Sequence, residues 1–192
     1  MNNAHREYLA SDEWRQTLQD LALPFAFGDL SYAELGDDVV EIGPGPGLTT
    51  DLLAAELPRI TAVELDEGLA DALRERTGGS NVEVLHADAT AIPTESGRFS
   101  GAVSFTMMHH VPTVELQDAV LADICRVLQP GGLLVASDSV ASDELAAFHD
   151  DDIYNPVDPE TLEDRLTAAG YVDIAVRANP YAWAIHARRP PA

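Results

Sequence analysis

At 192 residues, 46% of them hydrophobic, the chain is long enough for one domain with a proper core and leaves little room for a second. Its formal net charge is −22, from 33 acidic residues against 11 arginines and no lysine. A surface that negative repels phosphate backbones and anionic lipid, so neither nucleic acid nor a membrane is an expected partner.

No apolar stretch approaches the length of a membrane span, and Met1 to Ala10 reads as polar, unlike a secretion signal, so the cytoplasm is the expected location. A single cysteine, Cys125, excludes an internal disulfide and a multi-cysteine zinc site. It falls among Leu121, Ile124 and Leu128 on the apolar face of a helix, where it fills core. Residues 3–23 read as two helical pieces, the second capped by Ser11, with Trp14, Leu18 and Leu21 along one face. Residues 38–42 form an apolar, β-branched run that suits a buried parallel strand. A helix follows from Leu48 to Leu57 and stops at Pro58. The spacing then predicts a strand over 60–63 with Glu64 at its carboxyl end. Asp66 caps a helix running to Arg76, which Gly78 and Gly79 stop.

A third strand over 82–86 leads to Asp88, and a fourth covers 102–105. Thr113 opens an amphipathic helix through Leu128, and Pro130-Gly131-Gly132 turns into a fifth strand over 133–137. Residues 138–157 read as one long irregular stretch, of the kind that serves function or moves. Asp158-Pro159 starts a last helix that Gly170 ends. Residues 171–177 and 181–187 flank Asn179-Pro180 as an antiparallel hairpin. Strands alternating with helices, then a hairpin, describe an α/β fold: a doubly wound, mostly parallel seven-stranded sheet with an antiparallel C-terminal edge. One domain is expected, with residues 1–34 as a helical lid on a core of 35–188.

In such a sheet, ligands gather at the carboxyl ends of the strands. Residues 39–47 read Val-Val-Glu-Ile-Gly-Pro-Gly-Pro-Gly, so Gly43, Gly45 and Gly47 fall between a strand and a helix. That pattern predicts backbone N–H groups and a helix N-terminus facing an anionic ligand that comes close to the main chain. A dinucleotide fold usually wants Gly-x-Gly-x-x-Gly or Ala, and Leu48 stands where the third small residue should be. Glu64, about twenty residues on, can accept from both hydroxyls of a ribose, in either kind of nucleoside cofactor.

The run Glu41-x-Gly43-x-Gly45-x-Gly47 resembles the first motif of the class I S-adenosylmethionine-dependent methyltransferases. The segments Ala62-Val63-Glu64-Leu65-Asp66, Val84-Leu85-His86-Ala87-Asp88-Ala89-Thr90, Phe99 to Phe105 and Val127 to Leu133 resemble the motifs that follow, in order, over roughly residues 35–188. The resemblance implies S-adenosylmethionine as cofactor. Gly43, Pro44, Gly45 and Gly47 would lie along its amino-acid tail, and Glu41 would sit under the turn. By the same resemblance Glu64 holds the ribose, Leu65 packs on adenine, Asp88 accepts from the adenine amino group, and the Ala89 N–H meets a ring nitrogen. Thr106, after strand four, belongs to the same set. One departure stands out: Ser100 follows Phe99 where the family commonly has aspartate.

The reaction implied is in-line displacement at a sulfonium methyl, which needs alignment and exclusion of water above all. A general base helps where the acceptor must lose a proton, and His109 and His110, after strand four, are the candidates. Thr106-Met107-Met108-His109 lacks the Asn- or Asp-Pro-Pro-Tyr type of run that serves base methylation, so a small-molecule acceptor is expected. No metal site is expected; the run Asp150-Asp151-Asp152 reads as solvated loop. Tyr8, Trp14, Phe148, His149 and Tyr154 are expected to cover the acceptor. Two other readings stand beside the enzyme: a cofactor-binding module without catalysis, and a nicotinamide oxidoreductase, disfavoured by Leu48, Asp88 and the terminal hairpin. Oligomeric state is left open.

Overall fold

A computed structural model describes residues 3–192, with side chains from Arg6 onward. Met1 and Asn2, part of the expected lid, lie outside the described residues. The sheet has seven strands in the order β3-β2-β1-β4-β5-β7-β6. These are β1 (Val39–Ile42), β2 (Ile60–Glu64), β3 (Val82–His86), β4 (Phe99–Phe105), β5 (Leu128–Ser139), β6 (Val172–Ala178) and β7 (Ala182–Arg188). The first five are parallel, and β7 runs antiparallel to both β5 and β6. Strand order reverses between β1 and β4, and a crevice opens there at the strands' carboxyl ends.

Every residue of β1 and β2 is buried, as befits strands covered on both faces. Val40 and Ile42 pack with Val120, Leu121, Ile124, Leu162 and Leu166, under α6 (Val114–Val127) and α8 (Leu162–Ala168). Val39 packs the other way, with Leu23, Phe27, Leu35, Leu53, Val103 and Val135, under α3 (Leu23–Phe27) and α4 (Leu48–Ala54). Cys125 lies inside the first of these clusters. The remaining helices are α1 (Asn3–Leu9), α2 (Asp12–Thr17), α5 (Glu67–Thr77) and α7 (Asp143–Phe148).

The predicted caps are in place. Ser11, Asp66 and Thr113 accept from the amides of Trp14, Leu69 and Leu116 respectively. Several boundaries differ from the sequence-based reading. The N-terminal helices continue to Phe27 through a π turn at Leu18–Ala22, in which the Leu23 N–H bonds to the Leu18 carbonyl. Pro24 explains this: it has no N–H to give and its ring crowds the carbonyl four residues back, so the helix widens just before it. β5 begins at Leu128, and Pro130 to Gly132, expected as a turn, lie within the strand beside a register shift against β4. The 138–157 stretch is not wholly irregular, because Ser142 caps α7 through the Leu145 amide.

Two close approaches fasten the N-terminal segment to the sheet. A Cβ at Gly101 would meet the Leu35 carbonyl oxygen at 2.5 Å, so only glycine lets that backbone cross β4. Ser100, the departure from the family pattern, both donates to the Asp38 carbonyl (2.9 Å) and accepts from the Asp38 amide (3.0 Å). It anchors the chain at the entry to β1. Arg177 and His186 of the hairpin then hold the Ala26 carbonyl at 3.1 and 2.7 Å, tying α3 to the sheet's far edge.

Candidate active site

The crevice at the β1/β4 switch point opens into a cavity of about 510 Å³. Its wall includes Gly43, Pro44, Gly45, Glu64, Leu65, Asp88, Ala89, Thr106 and His110. These nine of the sequence-predicted site residues thus share one cavity; Glu41, Gly47 and His109 are not on its wall.

The glycine turn is built from left-handed backbone. Gly43, Gly45 and Gly47 have φ of 67°, 55° and 85°, which side chains seldom tolerate. Their amides differ from the expectation of donors turned toward a ligand. Gly43 donates to the Val63 carbonyl (2.9 Å), Gly45 to Glu64 Oε2 (3.0 Å) and Gly47 to the Pro44 carbonyl (2.9 Å). The turn's contribution to the cavity is therefore shape and closeness: a Cβ on Gly43 would lie 2.1 Å from Met107 Cγ, another lining atom.

Glu64 is 8% exposed at the end of β2, and its second oxygen accepts from the Asp66 amide at 2.9 Å. Two bonds use about half of what a carboxylate accepts, so capacity for a diol remains. Leu65, beside it, is 66% exposed although apolar, a surface that a flat ring would cover. Asp88 Oδ1 accepts from both the amide and the hydroxyl of Thr90 at 2.8 Å, which fixes the turn after β3. Thr106 has φ 50°, a rare conformation for a β-branched residue, at the carboxyl end of β4. Such strain concentrates at functional sites.

Glu41 lies behind the turn, 2% exposed, and its Oε2 accepts from the Thr50 hydroxyl of α4 at 2.6 Å. Burial raises its carboxyl to about 7, against the pull of the Thr50 bond and with Asp51 and Glu64 adding to the rise. His109 and His110 part company. His110 is half-buried on the cavity wall, whereas His109 is 4% exposed and turned to Asp138, Nδ1 to Oδ1 at 2.6 Å.

Two other lining residues, Arg6 and Ile153, were not singled out by the sequence reading, and Asp152, read as solvated loop, also lies on the wall. Arg6 of α1 reaches across to Asp66, Nη2 to Oδ2 at 2.7 Å, and both face the cavity. The Leu69 amide, and after it the Arg6 guanidinium, holds the Asp66 carboxyl below its usual range. Of the residues expected over the acceptor, Trp14 is on the wall while Tyr8 and Phe148 stand behind it, Tyr8 5.5 Å from Trp14 and 5.9 Å from Phe148, ring centre to ring centre, joining α1, α2 and α7. Asp152 and Ile153 complete that side. Pairs such as Arg6–Asp66, 60 residues apart, leave no local sequence signal.

Fold and site together define a Rossmann-like methyltransferase domain. Residues 39–132, just under half of the chain, match the family described as a methyltransferase domain, and the chain has the Rossmann-like methyltransferase fold. It is 37% identical over 124 residues to a protein-L-isoaspartate O-methyltransferase of Nitrobacter winogradskyi, covering 62% of this chain and 53% of that protein. It is 32% identical over 102 residues to a demethylmenaquinone methyltransferase of Clavibacter sepedonicus, covering 52% and 40%. Shorter matches are to ribosomal RNA methyltransferases, such as one from Koribacter versatilis. The aligned stretches thus cover about half or less of these relatives' own length. Among solved structures, the PH0226 protein of Pyrococcus horikoshii superposes with a TM-score of 0.78 over 95% of this chain and 94% of that one. At 17% identity, that likeness is one of fold. No helix among the described residues is long and apolar enough to cross a membrane.

Proposed function

We propose that this protein binds S-adenosylmethionine and passes its methyl group to a small molecule held in the same cavity. The observation that carries this reading is the convergence on one cavity of the glycine turn after β1, the Glu64 carboxylate at the end of β2, and Asp88-Ala89 beyond β3. When bound, the cofactor supplies an electrophilic methyl on a sulfonium that leaves as a neutral thioether. Gly43 to Gly47 would lie along its amino-acid end with Glu41 beneath them. Glu64 accepts from the ribose hydroxyls, Leu65 covers the adenine face, Asp88 and the Ala89 amide pair with the adenine edge, and Thr106 completes the set from β4. His110 takes the acceptor's proton, and His109, held by Asp138, positions it from behind.

The small-molecule reading rests on the cover and the charge. Arg6, Trp14, Asp152 and Ile153 line the cavity from outside the sheet, a wall that suits a compact acceptor and the exclusion of water. A net charge of −22 opposes any polyanion. The demethylmenaquinone relative is in keeping with a small acceptor, while the protein and ribosomal RNA methyltransferases set the alternatives to be tested.

Calorimetry is expected to show S-adenosylhomocysteine binding that Glu64→Ala weakens by about 1.5–3 kcal/mol, roughly 10- to 150-fold. Unchanged affinity would remove the cofactor assignment. With methyl-labelled cofactor, label is expected in small O-, N- or C-nucleophiles; transfer only to protein or RNA would overturn the acceptor class. Binding with no transfer to any of these would make the protein a cofactor-binding module. On the acceptor so found, His110→Ala is expected to lower turnover about 10²- to 10⁴-fold with homocysteine-nucleoside affinity kept. Full turnover would dismiss it as general base.

A further inference from the structure

Three imidazoles meet beside the cavity. His109 and His110 come from the turn after β4 and His149 from the end of α7, and one ligating nitrogen of each lies within 4.8 Å of the other two. Ring centres are 4.1 Å apart for His109–His110 and 4.8 Å for His109–His149. Two of the three rings are almost wholly buried, each 4% exposed. Packing polar rings together inside a core brings little hydrophobic gain and costs desolvation, so the grouping calls for another cause.

The surroundings supply one. His109 Nδ1 faces Asp138 Oδ1 at 2.6 Å, and His149 Nδ1 faces the Leu145 carbonyl at 2.7 Å. A carbonyl oxygen only accepts, so His149 Nδ1 carries the hydrogen and Nε2 carries the lone pair. Asp138 is itself fixed, because it also accepts from the amides of His109 (3.0 Å) and Ser139 (2.7 Å). It imposes the same tautomer on His109. A carboxylate on one ring and a backbone carbonyl on another are what orient histidines that ligate a metal. His149 is held further by stacking on Tyr154, ring centres 4.7 Å apart.

We infer that His109, His110 and His149 bind a divalent first-row transition cation, with Asp138 and the Leu145 carbonyl as the groups that aim the rings. The sequence reading expected no metal, on the grounds of a single cysteine and a solvated acidic run; the histidine donors lie some forty residues apart and form no familiar spacing. Three imidazoles, with no ligating oxygen in the group among the described residues, favour zinc, cobalt or nickel over magnesium or calcium. Around zinc, three nitrogens at about 2.1 Å stand about 3.4 Å from one another, so side-chain shifts of about an ångström close the site. His110 belongs to the cavity wall, so the three-histidine site borders the space proposed for the acceptor. A His110 lone pair given to the metal cannot take the acceptor's proton, so His110 serves as general base only in the metal-free protein. The metal assignment itself stands on the imidazole geometry and does not depend on methyl transfer.

The full-length protein, stripped with chelator and dialysed, is titrated with Co²⁺ in concentrated salt, which screens the acidic surface. A saturable visible d–d spectrum, displaced by Zn²⁺ and unaffected by Mg²⁺, is expected. His149→Ala and His110→Ala are each expected to weaken binding at least about a hundredfold, and Asp138→Asn about 10- to 100-fold, in variants whose melting shows them folded. No saturable spectrum in the wild type, or one that persists in both histidine variants, overturns the site. Homocysteine-nucleoside titrations of the same wild-type sample, with and without Co²⁺, separate the two proposals. Nucleoside binding without a cobalt spectrum defeats the metal site alone; the converse defeats the cofactor reading alone.

Discussion

Gly43→Val is expected to abolish S-adenosylhomocysteine binding, with calorimetry as the measure. Two separate penalties fall on that position. The backbone sits at φ 67°, where a side chain costs about 1–2 kcal/mol and a β-branched one more. The added Cβ would also lie 2.1 Å from Met107 Cγ and 3.0 Å from its Cβ. Relief is available only if Met107 leaves its place or the turn changes shape. Both routes alter the cavity, because Gly43 and Met107 each line it. Any reshaping also disturbs Glu64, which the Gly45 amide holds at 3.0 Å. Gly79→Ala separates strain from shape. Gly79 has φ 82° with nothing within 4 Å of an added Cβ, so this variant should lose about 1–2 kcal/mol of stability and keep its affinity. If Gly43→Val bound the nucleoside normally, the turn would not be the cradle described above.

Much of this site could be read before the fold was known, because its physics is local. A buried parallel strand needs an apolar run, and Val39 to Ile42 is one. A turn that bends sharply and lets a ligand near needs glycine, and three stand in a row of alternate positions. Helix starts announce themselves when a side chain accepts from an amide three residues on, as at Ser11, Asp66 and Thr113. What escaped notice is held by long-range pairing. Asp138 reads as the start of an irregular stretch until it is found against His109, and His149 as loop until α7 returns it to the same place. Gly101 carries no mark of the Leu35 backbone crossing it. The amides of the glycine turn were also misjudged. Sequence shows that such a turn exposes N–H groups, but not that Val63, Glu64 and Pro44 would take them.

Glu41→Gln is expected to stabilise the protein at pH 8 by about 2–3 kcal/mol and to leave it almost unchanged near pH 4, in urea unfolding followed at both values. The direction follows from proton linkage. In the unfolded chain the Glu41 carboxyl titrates near 4.5, and in the folded chain at about 7. Below 4.5 both states hold the proton, and the buried acid costs nothing. As pH rises from 4.5 to about 7 the unfolded state has released its proton and the folded state still holds it, so stability drains away across that window and the loss is complete above 7. A difference of some two and a half pH units sets the scale at about 3 kcal/mol. Glutamine keeps the shape and still accepts from the Thr50 hydroxyl, so the variant removes the charge without opening a hole. The residue therefore costs stability at neutral pH, and a burden of that kind is retained where it serves a site. A cationic group held over the glycine turn would draw the carboxyl back toward ionisation. Binding of the amino-acid tail near pH 6 should then release a proton, visible as a dependence of the measured heat on the buffer's own ionisation, and Glu41→Gln should erase it. Equal stabilisation at both pH values would show that Glu41 is not buried as described. Proton release that survives in Glu41→Gln would move its source elsewhere in the cavity.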